Sequence, residues 1–149
     1  MRFAVIFVTA SIAVIACTGA AGAQSDLYPT RQSLGKALFH DKGLSATRTQ
    51  ACSTCHMPQA GFADRNDVNG SPVSLGDDGK SFGDRNAPSA SYAALTPPFH
   101  RDATGEYVGG QFWDGRASTL EDQAGGPPLN PGEMGMADDK AVAARIREN

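Results

Sequence analysis

Ala51-Cys52-Ser53-Thr54-Cys55-His56-Met57-Pro58 is the stretch whose reading decides the fold. Two cysteines separated by two residues and followed at once by histidine form the C-x-x-C-H pattern of covalent c-type haem attachment. The spacing has a chemical reason. One helical turn sets both thiols where they can add to the two vinyl groups on one edge of a porphyrin. His56 then swings beneath the ring, and its imidazole coordinates the iron as proximal ligand. Two other chemistries use a C-x-x-C pair. A zinc half-site needs further Cys or His ligands, usually from a second pair, and the other candidates, Cys17, His40 and His100, form no such pair. A thioredoxin-like dithiol would sit beside a βαβ pattern, and none is visible.

Upstream of this stretch, residues 1–23 read as an export signal. Arg2 supplies a positive start, residues 3–16 are an apolar run, and Ala21-Gly22-Ala23 are the small residues of a cleavage site. The run is too short for a comfortable membrane span. No later stretch is long enough either, so the mature chain is expected to carry no transmembrane segment. Lipoprotein processing at Cys17 is an alternative, because Val14-Ile15-Ala16 are the small and apolar residues that would precede a lipidated cysteine. Either route exports the domain, and covalent haem attachment of this kind belongs to the same side of the membrane. The expected location is the periplasm.

Removal of the signal leaves residues 24–149, a length that suits one domain. This segment holds twelve Lys/Arg against sixteen Asp/Glu, a formal charge of −4, which argues against nucleic acid as a partner. Leu, Ile, Val and Phe total eighteen of its 126 residues, a level at which an ordinary chain would not build a core. Gly and Pro are dense over 58–135. A haem supplies a large apolar surface for loops to wrap around, so the haem-free chain is expected to be largely unfolded.

Local signals are few. Residues 30–40 predict a helix, with Thr30 as N-cap and Leu34, Ala37 and Leu38 on one face. Pro58 bars helical continuation beyond Met57. Residues 61–110 show no sustained periodicity, and Gly76-Asp77-Asp78-Gly79 and Pro97-Pro98 read as turns. Ser118-Thr119-Leu120-Glu121 reads as a capping box for a short helix over about 119–124. Pro127-Pro128 and Pro131 are expected to keep the next stretch extended. A last helix starts near Asp138-Asp139, and Asn149 ends the chain in mid-helix, as an incomplete product would. The fold class is all-α: a cytochrome c-like, loop-rich, single haem domain.

Four segments together carry a resemblance. They are Leu34-Gly35-Lys36 with Leu38-Phe39, the run CSTCHMPQAGFAD at 52–64, Asp84-Arg85-Asn86-Ala87-Pro88-Ser89, and FWDGRASTLEDQAGGPPLNPGEMG at 112–135. The chain resembles the N-terminal haem domain of bacterial di-haem cytochrome c peroxidases. That superfamily also contains the di-haem enzyme of methylamine utilisation, which matures a tryptophan-derived quinone. The family's second haem domain, with its own C-x-x-C-H, is absent from residues 24–149, so the chain reads as truncated.

The resemblance implies roles for particular positions. Cys52, Cys55 and His56 hold one haem c. Glu133 looks like the distal acid–base residue, since a proton must leave the near peroxide oxygen and reach the departing one. Gln123 looks like the distal amide that orients peroxide, and Trp113 like the aromatic on the electron path between haems. Asn86 matches a calcium ligand at the domain interface of relatives. Read without the resemblance, Glu133 is a surface carboxylate, Gln123 a solvated helix residue, Trp113 the single large core residue and Asn86 a turn residue. Asp114 and Arg116 read as a local ion pair.

One departure matters. Many di-haem peroxidases place a histidine near a Ser-x-Gly-His sequence, where it closes the sixth iron position. Here Ser74-Leu75-Gly76 is followed by Asp77, and no histidine lies between 57 and 99. His40 and His100 read as ordinary exposed or propionate-contacting residues. The iron is therefore expected to be open without reductive activation. The function this implies is reduction of hydrogen peroxide to water with electrons from a small cytochrome c or cupredoxin. Two rivals share the residues. A monohaem electron carrier would use Met134, Met136 or His100 as a second iron ligand, and an oxidase of a protein tryptophan would share the open iron and Glu133.

Overall fold

The computed structural model describes residues 28–65 and 70–148. The expected export signal and the lipidation alternative at Cys17 lie outside them. Among the described residues no helix is long and apolar enough to cross a membrane. Helix α1 spans Arg31–Phe39 and starts as expected. The Thr30 hydroxyl accepts the Ser33 N–H at 3.0 Å, and Ser33 answers by accepting the Thr30 N–H at 3.1 Å, which satisfies two donors that a helix start leaves without intrahelical partners. A 3₁₀ turn over Lys42–Leu44 follows, closed by the Asp41 carboxylate on the Gly43 N–H at 2.7 Å.

The next loop, 45–51, leads into the attachment turn, and polar groups rather than apolar ones hold it. Ser45 is fully buried; its hydroxyl accepts the N–H groups of Thr49 and Gln50, both at 3.1 Å, and donates to the Lys42 carbonyl. The Gln50 amide donates to the Leu75 carbonyl at 2.6 Å. Asp77, only 7% exposed, accepts the Thr47 N–H and the Thr49 hydroxyl, each at 2.6 Å. Burial pushes the Asp77 carboxyl up, but hydrogen bonds from Thr49, Thr47 and Ser45 outweigh it and leave its pKa at about 2. Such a network satisfies the backbone of a loop that has no regular ladder.

Helix α2 is the single turn Cys52–Cys55. A turn over 58–60 and a long irregular path follow, as the lack of periodicity implies. The 76–79 turn forms, with the Gly79 N–H on the Gly76 carbonyl at 3.0 Å. Strands β1 (His100–Arg101) and β2 (Tyr107–Val108) pair antiparallel in a two-stranded hairpin. Phe99 and Tyr107 stack there at 5.6 Å, and Arg101 lies over the Tyr107 ring. Helix α3 (Leu120–Ala124) is capped by Thr119, whose hydroxyl accepts the Asp122 N–H at 3.1 Å. The N-cap is therefore Thr119 in place of the expected capping box from Ser118, with Thr119 the last residue of extended backbone before the helix.

Residues 126–129 correct the sequence reading. They form a short helix, α4 (Gly126–Leu129), not an extended segment. Pro127 and Pro128 lie in its first turn, where a missing N–H leaves nothing unsatisfied and the fixed φ is already helical. Helix α5 (Asp139–Arg147) is capped by Asp138 on the Ala141 N–H at 2.8 Å. It docks beside the 42–44 turn, where the Arg145 guanidinium donates to the carbonyls of Gly43 and Ala46 and Arg48 pairs with Glu148.

Buried apolar side chains among the described residues are limited to Leu44, Ala51, Ala117, Met134 and Met136. That set is as small as the composition implies. Trp113 is not one of them. It is 58% exposed, which overturns its reading as the single large core residue. Its indole leaves the interior because the N–H is drawn to the Asn86 carbonyl, 2.9 Å away on an outer loop.

Candidate haem site

Local geometry produces the proximal half of the site. The Thr54 hydroxyl accepts the Ala51 N–H at 3.0 Å, the Thr54 N–H reaches the Ala51 carbonyl at 2.9 Å and the His56 N–H reaches the Cys52 carbonyl at 2.9 Å. One turn of helix results, and His56 leaves it in a non-helical conformation ahead of Pro58. Both thiols are free and half-buried. Burial pushes each above the ordinary thiol value, and the Glu133 carboxylate adds to the effect at both.

The chain then folds back on His56. Met57 and Ala63 pair as a bridge, with Gly61 at φ +66° and Phe62 at φ +60° between them. A positive φ is unusual for a residue with a side chain and is held only by its surroundings. Phe62 is held three times: its N–H donates to the Met57 carbonyl at 2.8 Å, and its carbonyl accepts the Ala90 N–H at 2.9 Å and His56 Nδ1 at 3.1 Å. A carbonyl can only accept, so Nδ1 carries the proton and Nε2 keeps its lone pair. This is the tautomer that ligates a metal through Nε2. Paired free thiols followed by a histidine locked in this tautomer fit a covalently bound haem. Among the described residues no group of three or more His, Cys, Asp or Glu could hold a metal ion.

Glu133 reaches the same place from far along the chain. Its N–H donates to the Asn130 carbonyl at 3.0 Å, and its carbonyl accepts the Asp77 N–H at 2.7 Å. The two segments approach so closely that a Cβ on Gly76 would stand 2.9 Å from the Gly132 carbonyl oxygen, which is why glycine occupies position 76. The neighbouring Met134 carbonyl accepts the Ala46 N–H at 2.8 Å. The Glu133 side chain is half-buried, with Oε1 accepting the Asn130 amide at 2.8 Å. Burial pushes the carboxyl above its ordinary value; the Asn130 hydrogen bond opposes that, His56 and Arg116 draw it down, and Asp84 pushes it up. Glu133 is thus a carboxyl raised by burial that stands within electrostatic reach of His56.

The remaining sequence candidates form a second cluster. Asp114 pairs with Arg116 at 2.9 Å, as expected, and also with Arg85 at 3.0 Å. Partial desolvation pushes the Asp114 carboxyl up, but the two guanidinium groups outweigh it and leave its pKa at about 2. Arg116 also stacks on the Phe112 ring, 3.6 Å from its centroid, and acts on the Glu133 charge. Trp113 and Asn86 join through the indole N–H and a backbone carbonyl. Gln123 lies half-buried on α3, and no hydrogen bond links its side chain to Glu133. His100 is exposed and donates from Nδ1 to the Pro98 carbonyl at 2.8 Å.

Three contributors escaped the sequence reading. The Phe62 carbonyl, the Asn130 amide and the Asp77 carboxylate act on the site through backbone atoms or turns, to which a residue pattern is blind. Asp77 follows Ser74-Leu75-Gly76. Its side chain turns into the 47–49 loop, so it acts as a buried anchor.

Comparison with known proteins agrees with this geometry. The profile of the family described as di-haem cytochrome c peroxidase matches residues 29–149. The chain is 58% identical over 118 residues to the methylamine utilization protein MauG of Paracoccus denitrificans, covering 78% of this chain and 30% of that protein. It is 39% identical over 117 residues to the cytochrome c peroxidase Ccp of Escherichia coli, covering 78% of this chain and 21% of that protein. The crystal structure of the diheme peroxidase BthA from Burkholderia thailandensis superposes with a TM-score of 0.73 at 37% identity, covering 78% of this chain and 29% of that one. The chain thus spans less than a third of the length of each of these relatives. By sequence and by fold, this chain belongs to the di-haem cytochrome c peroxidase family.

Proposed function

We propose that this chain is an exported, all-α, cytochrome c-like haem domain, residues 24–149 after loss of the 1–23 signal, that works in the periplasm on hydrogen peroxide. One haem c would be bound through Cys52 and Cys55, with His56 as iron ligand. The observation that carries the reading is the His56 Nδ1–H bond to the Phe62 carbonyl, which leaves Nε2 free for a metal, with Glu133 within electrostatic reach of the ring. When bound, the haem would supply the redox chemistry that peroxide reduction needs. Each peroxide takes up two electrons and two protons and yields two waters, the electrons coming from a small cytochrome c or cupredoxin. Glu133 would accept the proton of the near peroxide oxygen and return it to the departing one. Gln123 would orient the peroxide. Trp113, exposed and bonded at its N–H to the Asn86 carbonyl, would pass electrons on the path between haems. Asn86 would supply one calcium ligand.

A second reading is oxidation of a protein tryptophan, which uses the same open iron and Glu133. The 58% identity to MauG, against 39% to the peroxidase Ccp, favours it. The electron-carrier alternative asks for a second protein ligand on the iron. Met134 and Met136 are 4% and 6% exposed, enclosed by protein, whereas His100, bonded to the Pro98 carbonyl through Nδ1, keeps Nε2 free as the ligand that alternative would use.

The deciding experiment is the optical spectrum of the ferric holoprotein before and after one equivalent of peroxide. A high-spin spectrum that changes on peroxide addition, with a change slowed about 10²-fold or more by Glu133→Gln, fits the proposal. A low-spin spectrum inert to peroxide refutes it in favour of an electron carrier. Supplying a reduced small cytochrome and, separately, a tryptophan-containing protein substrate then separates the two oxidative readings.

A further inference from the structure

Glu133 depends on a neighbour three residues away, in a segment that looks like simple turn chemistry. Asn130 follows α4 and precedes Pro131-Gly132. Its backbone carbonyl accepts the N–H groups of Glu133 at 3.0 Å and Gly135 at 2.9 Å, two main-chain bonds that close the turn. The side chain adds one bond within the turn and one beyond it. Its Oδ1 accepts the Gly132 N–H at 2.9 Å, which fixes the amide's orientation and turns Nδ2 toward Glu133, where it donates to Oε1 at 2.8 Å. No described residue donates to Glu133 Oε2.

We propose that Asn130 is a positioning residue for Glu133: its clamped amide holds one carboxylate oxygen, keeps the group in its proton-accepting form and leaves the other oxygen to take the proton. This rests on the proposed role of Glu133. A donor aimed at a carboxylate favours the ionised form, whereas burial favours the acid. The other charged or titratable groups that bear on Glu133 are His56, Cys52 and Cys55 from the attachment turn, Asp84 from the 83–88 loop and Arg116 from the Phe112 segment. None of them hydrogen-bonds its carboxylate. Asn130 alone sets its direction.

The substitution that isolates this role is Asn130→Asp. It retains an oxygen for the Gly132 N–H and so keeps the turn, but sets a second carboxylate oxygen against Glu133 Oε1. Like charges so close cannot both ionise easily. The readouts, taken on the holoprotein, are the infrared carboxyl titration of Glu133 and the pH profile of the peroxide-induced spectral change. The Glu133 band is identified by its loss in Glu133→Gln, and the N130D/E133Q double variant subtracts the introduced carboxyl. Expected are a Glu133 titration moved to higher pH and a peroxide reaction slowed about tenfold at neutral pH, with an unaltered ferric spectrum. Asn130→Ala removes the donor without adding charge and should move the titration in the same direction by less. A titration unchanged in both variants overturns the proposal and leaves Asn130 a turn residue. If Glu133→Gln leaves the peroxide reaction intact, the function proposed for Glu133 fails, and the infrared titration still decides whether Asn130 sets its ionisation.

Discussion

The two halves of the haem site are built by opposite means. The thiols, His56 and the carbonyl that fixes the His56 tautomer all lie within residues 52–62, joined by hydrogen bonds between near neighbours. Glu133 is placed by contacts that cross the chain. Its carbonyl meets Asp77, the next residue meets Ala46, and Asp77 in turn grips Thr47 and Thr49 ahead of the attachment turn. The local half needs little from the rest of the molecule to form. The distant half is only as well placed as the polar network around Asp77. A chain with five buried apolar residues among those described has no large core to do that work.

The largest effect is expected from removing what both halves share. Cys52→Ala/Cys55→Ala should abolish covalent haem and, with it, cooperative unfolding. Loss of the thermal transition in far-ultraviolet circular dichroism is the check, and a native-like transition without haem would show that the polar network suffices. Asp77→Ala should come next, because it removes the buried carboxylate on which the Thr47 and Thr49 donors converge. A loss of about 2–4 kcal/mol by urea unfolding of the holoprotein is expected. Its pH dependence has a definite sign. The Asp77 carboxyl is held at about 2 against an ordinary 3.8, so its stabilisation is complete above about pH 4 and fades as pH falls through about 2. The variant should lack that acid limb. It should also disturb the Glu133-dependent peroxide step more than the His56 ligation seen in the ferric spectrum. Equal damage to both would erase the contrast between the halves.

Smaller effects should fall outside the contrast. Thr30→Ala removes the hydroxyl that accepts the Ser33 N–H and donates to Ser33 Oγ and should cost about 1 kcal/mol in the same urea assay, leaving the haem spectrum unchanged. Arg48→Ala breaks an exposed pair with Glu148. It should lower Tm by no more than about a degree or two, an effect that vanishes at high salt.

Residue patterns revealed the site unevenly. The one-turn geometry at Cys52–Cys55, the helix at Thr30 and the Asp114–Arg116 pair were all legible, because each is a short-range rule of spacing or capping. The Pro127-Pro128 segment was misread because proline breaks a helix only past its first turn, and nothing local announces where a first turn falls. Trp113 was misread for a related reason: an aromatic's size predicts burial, but its N–H follows a hydrogen-bond partner, and Asn86 lies outside the core.

By itself the sequence determined the family and the limits of the core, since these depend on residue identities at fixed short spacings and on overall composition. Only the tertiary structure decided that Phe62 fixes the His56 tautomer, that Asp77 anchors a loop and contacts Glu133 through its backbone, and that Asn130 grips the Glu133 carboxylate. Those outcomes rest on backbone carbonyls, amides and hydrogen-bond directions, which exist only once distant segments have been brought within about 3 Å of one another.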